Sequence, residues 1–143
     1  MGWLILSFFL VIFSFASFLG SQQESDIVGS EFSSVANQRA NETVIYINAI
    51  NDYLYSNPIQ NGVLTNQQIG VSVNPNLKHI IGGGRVYVYQ EDTTGLINAI
   101  KLVTKNSSLL GVVVNRRLID FGNVDMSVTV PAQIPNGYVV YLN

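Results

Sequence analysis

The sequence predicts an α+β domain carried behind an N-terminal transmembrane helix. Three observations support this. The first 20 residues hold 15 apolar side chains and no charged one. A helical spacing of apolar residues then runs from about 32 to 55. After it come short alternating segments interrupted by one brief amphipathic stretch, an order that packs helices on a mainly antiparallel sheet. A chain of 143 residues has room for one such domain. Outside the N-terminal run it is about 44% apolar, ordinary for a globular fold.

Residues 2–20 carry no charge, and five of the seven phenylalanines fall there. As a helix this run would be about 28 Å long, enough to span a hydrocarbon core. Trp3 stands at its start, where an amphipathic ring suits the membrane interface. Two readings of the run compete at this level. Ser14-Phe15-Ala16 offers a small-x-small exit, so cleavage after Ala16 is one of them. No basic residue precedes the run, however, and it continues through Phe18 and Leu19, which favours a retained anchor over residues 1–20. The flank that follows is acidic (Glu24, Asp26, Glu31), and the first basic side chain is Arg39. The expected orientation is the amino terminus inside and the domain outside. Residues 21–31 read as a juxtamembrane linker and 32–143 as the folded domain.

Within that domain Phe32, Val35, Ala36, Ala40, Val44, Ile47, Ile50 and Leu54 mark one face of a long helix. Asn57-Pro58 ends it, because proline cannot extend the hydrogen-bond ladder. Residues 57–84 are rich in turn residues and read as loop, with one helical turn at 65–68 capped by Thr65. The run RVYVYQ at 85–90 alternates as a strand. Glu91, Asp92, Thr93 and Thr94 form an expected N-cap cluster for the helix carrying Leu96, Ile97, Ile100 and Val103. Lys101 and Lys105 suit the end of that helix, and Asn106 closes it. Residues 109–114 and 117–121 flank a two-residue hairpin at Asn115-Arg116. A further strand at 125–130, a turn-rich connector at 131–137 and a closing strand at 138–142 complete the order.

Composition excludes several chemistries. A net charge of −2 with seven Lys and Arg gives no electrostatic footprint for nucleic acid. The absence of cysteine excludes disulfides, thiolate zinc, iron–sulfur clusters and thiol catalysis. His79 is the sole histidine, so a multi-histidine metal site within one chain is excluded. As a general base His79 would need an orienting carboxylate and a nucleophile, and no neighbouring sequence supplies them. It reads as a partly exposed loop or strand-edge residue. Gly82-Gly83-Gly84 precedes a strand instead of opening a helix, so it reads as a flexible lead-in, not a phosphate loop. Asp120 and Asp125 bracket a turn, and Arg116-Arg117 sits at a hairpin tip. The seven tyrosines all lie outside the apolar run and suit either the helix–sheet boundary or an interface. No catalytic, metal-ligating or cofactor-binding residue emerges, and no cofactor or small-molecule substrate is expected.

The opening MGWLILSF, the mid-chain TGLINAIKLV and the ending RLIDFGNVDMSVTVPAQIPNGYVVYLN resemble the small PilM proteins of type IVB (thin) pilus operons on conjugative plasmids and related enteric islands. These are distinct from the actin-like ATPase of the same name. The resemblance implies a non-catalytic accessory factor for type IV pilus biogenesis. Its expected place is the bacterial inner membrane, single-pass through residues 2–20, with the domain in the periplasm and other pilus-assembly proteins as partners. Two alternatives accompany it. A minor pilin or pseudopilin-like subunit would also begin with an apolar helix running into an amphipathic one. That pattern, however, wants a basic leader ending in Gly and a Glu where this chain has Ser7. A small periplasmic hydrolase using His79 as base is the other.

Overall fold

Helix α1 fills residues 33–56 of the computed structural model, which describes residues 33–72 and 74–143. The stretches read above as anchor (1–20) and linker (21–31), and Phe32 at the expected helix start, lie outside the described residues. Among the described residues no helix is long and apolar enough to cross a membrane. Ala36–Asn143 forms one compact unit.

On α1 the expected residues Ala36, Ala40, Ile47 and Ile50 are buried, and Val44 and Leu54 are half-buried. Val35, expected on the same face, is 53% exposed. The buried seam instead passes through Thr43 and Tyr46. Thr43 is tolerated there because its hydroxyl donates to the Arg39 carbonyl (2.8 Å) and accepts from Gln90 Nε2 (2.7 Å). The helix stops where proline requires. The backbone and side-chain amides of Asn57 both donate to the Tyr53 carbonyl, at 2.9 and 3.1 Å, and Pro58 follows. The single turn α2, Asn66–Ile69, is closed by a reciprocal pair. Gln68 N–H donates to Thr65 Oγ1 and Thr65 N–H donates to Gln68 Oε1, at 3.3 and 2.8 Å.

The 57–84 stretch holds a strand that the pattern did not announce. Strand β1, Lys78–Gly82, pairs antiparallel with β2, Arg85–Glu91, through a two-residue turn. Gly83 and Gly84 have φ of 60° and 77°, so the glycine run is a tight hairpin turn and not a flexible lead-in. Helix α3 spans Leu96–Val103, and its N-cap is Gly95 at φ 82°, with no side-chain cap. The expected Glu91–Thr94 cap cluster is therefore displaced: Glu91 ends β2 and the chain turns through a left-handed glycine. At the other end Asn106 N–H donates to the Lys101 carbonyl at 2.7 Å, with Lys105 and Asn106 both at positive φ, closing the helix as expected.

Strands β3 (Leu110–Val114), β4 (Arg117–Ile119), β5 (Asp125–Thr129) and β6 (Tyr138–Leu142) complete a six-stranded sheet of order β1-β2-β6-β3-β4-β5. All neighbours are antiparallel. Asn115 and Arg116 make the expected two-residue hairpin, at φ 49° and 63°. Strand β5 carries a bulge at Ser127 (φ 59°), so its register shifts against β4. The chain ends in the middle of the sheet, with β6 between β2 and β3.

Register decides which side chains share a face. His79, Ile81, Val86, Val88, Gln90, Val139, Tyr141, Leu110 and Val112 lie on one side. There they meet α1 and α3 in two buried clusters joined by Tyr141. Tyr87, Val140, Leu142, Val113 and Leu118 lie on the other side. Among the described residues no helix covers that face. Its cover is the start of the β5–β6 connector, which buries Val130 and Ile134 against it. The connector is held at both ends to the β3–β4 hairpin. Val130 N–H donates to the Arg116 carbonyl and Gly137 N–H to the Val113 carbonyl, both at 2.9 Å.

Candidate functional site

His79 is the first residue to test, because it alone could serve as an imidazole base. Its place on edge strand β1 is as expected, but it is only 5% exposed instead of partly exposed. The Leu64 N–H donates to Nε2 at 2.8 Å. That nitrogen is therefore unprotonated, and the neutral ring carries its proton on Nδ1, 2.6 Å from the Tyr46 hydroxyl. The two rings also meet edge to face, with centroids 5.4 Å apart. Burial lowers the pKa of His79 below the ordinary 6.5. Burial first, and the nearby Tyr89 second, push Tyr46 up to about 12. The pair is a buried strut between α1, β1 and the 57–65 loop. With Nε2 given to a backbone amide, the ring has no lone pair left for a substrate proton.

The two aspartates at the β4–β5 turn are likewise engaged in structure. Asp120 Oδ1 accepts from the Gly122 and Val124 amides, both at 2.8 Å, and folds the turn between β4 and β5. Asp125 pairs with Arg117 at 2.9 Å, and the Ser127 amide and that arginine hold its carboxyl below the usual range. Of the Arg116-Arg117 pair, only Arg116 projects at the hairpin tip without such a bond among the described residues. Among the described residues no three acidic or histidine side chains converge on a site for a metal ion.

The tyrosines divide between the two expected roles. Tyr46, Tyr53 and Tyr141 pack the helix–sheet core. Tyr87, Tyr89 and Tyr138 belong to the face covered by the connector, and Tyr55 is fully in solvent. Tyr89 and Tyr138 stand 6.0 Å apart, and the Tyr138 hydroxyl donates to Glu91 at 3.1 Å.

One concavity was not visible in the sequence. It lies between the C-terminal end of α3 and the turn joining β4 to β5, with a volume of about 630 Å³. Leu110, Phe121 and Met126 line it together with Lys101, Ser107 and Asp120. Lys101 Nζ sits 4.3 Å from the centre of the Phe121 ring. Two chain segments meet here only because β3, β4 and β5 are adjacent.

With the geometry in place, the comparisons with known proteins are specific. A family model, PilM, matches residues 10–142. The chain is similar to a crystal structure whose protein carries the name PilM, from Escherichia coli B7A. The two are 36% identical over 78% of this chain and 93% of that one, with a TM-score of 0.67. A second crystal structure, of a pilM protein from Pseudomonas aeruginosa 2192, is 24% identical over 73% of this chain and 94% of that one, with a TM-score of 0.45. No curated protein matches.

Proposed function

The chain belongs to the PilM family, and from that premise we propose that it is a non-catalytic accessory factor of type IV (thin) pilus biogenesis. It is anchored in the bacterial inner membrane by residues 2–20, holds its α+β domain in the periplasm, and works through contacts with other pilus-assembly proteins. One observation carries the non-catalytic reading: both ring nitrogens of the sole histidine are committed to Leu64 and Tyr46. The anchor rests on the uncharged run of the sequence.

Complementation of a strain lacking this protein tests both parts. The full chain is expected to restore pili, and so is a chain whose residues 1–20 are exchanged for an unrelated single-pass anchor. The same chain with residues 1–20 replaced by a cleavable secretion signal is expected to fail. Full restoration by the secreted form would remove the anchor from the proposal. His79→Gln, which can keep both hydrogen bonds, is expected to restore pili, whereas loss of pili at normal protein abundance would reinstate the hydrolase reading. The pilin-like alternative shares the apolar start followed by a long helix and an antiparallel sheet. Mass spectrometry of the membrane-extracted protein separates it. An intact amino terminus supports the accessory factor, and loss of Met1-Gly2 with a methylated Trp3 supports the fibre subunit.

A further inference from the structure

We infer that His79 is the acid-sensitive latch of a flap, residues 63–72, which protonation of the ring releases from α1 and β1 while the rest of the domain stays folded. The two sides of the ring respond to a proton in opposite ways.

A backbone N–H can only donate, so the Leu64 amide at 2.8 Å requires a bare lone pair on Nε2. A proton on Nε2 would set two donors against each other in a buried place, and the Leu64 bond would be lost. On the other side of the ring nothing changes. Nδ1–H already faces the Tyr46 hydroxyl oxygen at 2.6 Å, and the imidazolium goes on donating to it. The tie between α1 and β1 therefore survives the proton that unties the loop.

The chain around Leu64 is fixed at both ends and lightly held between them. Upstream, the N–H and carbonyl of Gly62 pair with Ile81 at 3.0 and 2.8 Å. Downstream, Asn74 Nδ2 donates to Glu42 Oε2 at 3.0 Å, and Leu77 is buried. Between these anchors, among the described residues, the Leu64 bond is the one buried hydrogen bond to the body of the fold. A second tie, Gln68 Nε2 to the Tyr53 hydroxyl at 2.9 Å, is exposed. The turn α2 keeps its reciprocal cap within the flap, so it travels as a unit. Leu64 and Ile69 are the flap's buried side chains, packed in one cluster with Tyr46, Ile47, Ile50 and Val88. Release uncovers part of that cluster.

His79 is the only trigger of this kind at the flap. Residues 57–77 carry no titratable side chain. From α1 the ring meets Tyr46, whose hydroxyl burial pushes up to about 12, and Glu42 stands one turn before it, bonded to Asn74. From β2 the residue opposite is Val88, with Gln90 next on that face. On β1 itself Lys78 is exposed and lies on the other face. Burial alone disfavours the charged ring, and release removes that penalty, so acid favours the open form.

The test uses the full chain, ¹⁵N-labelled in detergent micelles, where the sole histidine gives a single set of ring signals. At pH 7.5 the proton is expected on Nδ1 with Nε2 bare, and the reverse tautomer would overturn the latch. Protection of the Leu64, Ile69 and Gly70 amides against hydrogen exchange is expected to fall about tenfold between pH 7.5 and pH 5.5. That is the change one proton with an ordinary pKa of about 6.5 produces in the open form while the closed ring stays neutral. These amides are also expected to stay at least about tenfold less protected than those pairing β2 with β6, which open only with the whole domain. In His79→Gln the Leu64 amide meets a side-chain oxygen that does not titrate, and its protection is expected to stay constant. Exchange of Leu64 in step with the β2–β6 amides would mean that acid unfolds the domain and releases no flap. Constant protection in the native chain, or an equal fall in His79→Gln, would also overturn the latch. The native-chain measurements decide the matter even if the variant does not fold.

Discussion

The two faces of the sheet are closed by different means. On one, α1 and α3 lay regular apolar stripes over Ile81, Val88, Leu110 and Val139. On the other, the eight irregular residues 130–137 between β5 and β6 do part of the same work with Val130 and Ile134. Burial is comparable: Ile50 and Leu96 of the helices are fully enclosed on one face, as are Val130 of the connector and Val140 of β6 on the other. What differs is how each cover is held. A helix satisfies its own backbone and needs only its stripe to adhere. The connector cannot satisfy itself, so it borrows carbonyls from the β3–β4 hairpin at Arg116 and Val113 and closes one internal turn, Ile134 N–H to the Pro131 carbonyl at 3.1 Å.

The largest expected effects compare the two covers directly. Ile50→Ala removes a fully buried side chain beneath α1 and is expected to cost about 3–5 kcal/mol. Ile134→Ala opens the other face at a residue only 3% exposed and is expected to cost about 2–4 kcal/mol, because a loop can collapse further than a helix. Denaturant unfolding of the full chain in detergent measures both. A loss under about 1 kcal/mol for Ile134→Ala would make the connector a surface loop and break the parallel between the faces.

The same contrast explains what the sequence disclosed. Periodic elements were legible: α1, α2, β2, α3, the β3–β4 hairpin, β5 and β6 all fall within a few residues of their expected positions. The burial of strand β1 alternates, but its sequence does not: half-buried Ile80 is as apolar as buried Ile81, and the other residue facing the helices is a histidine. Thr43 and Tyr46 on α1 went unread for a related reason: each is polar in sequence and becomes buried only through a partner on another element. The connector looked like punctuation because Ile134 stands between two prolines. The α3 groove had no sequence pattern, since its walls come from two segments, 101–110 and 120–126, that only the strand order brings together.

An intermediate effect concerns the polar member of the helix-covered face. Burial lowers the pKa of His79, so the folded chain resists a proton that the unfolded chain accepts near 6.5. Below that pH the unfolded state binds more protons, and stability falls as pH decreases until the folded histidine also titrates. Above it the histidine contributes no slope. The melting temperature of the full chain is therefore expected to drop between pH 7 and pH 5.5, and His79→Gln is expected to flatten that drop. An identical slope in the variant would mean that other groups carry the acid sensitivity and that the Tyr46–His79–Leu64 strut tolerates protonation.

The smallest effect bears on the connector's anchor. Arg116 occupies the second turn position at φ 63°, a left-handed conformation that costs a residue with a Cβ about 1 kcal/mol. Its carbonyl receives the Val130 amide at 2.9 Å, so the strained turn is also the point where the uncovered face gains its lid. Arg116→Gly relieves the strain and keeps the carbonyl in place, giving the Asn-Gly pair that two-residue hairpins favour. The gain is offset in part by the freedom glycine adds to the unfolded chain. A net rise of about 0.5 kcal/mol, or roughly 2–4 °C in melting temperature, is expected. The Arg117–Asp125 pair is untouched by this change, so the salt dependence of stability should stay as it was. If Arg116→Gly instead destabilises the chain, the arginine side chain itself supports the hairpin. The connector face would then depend on a side-chain contact as well as on backbone hydrogen bonds.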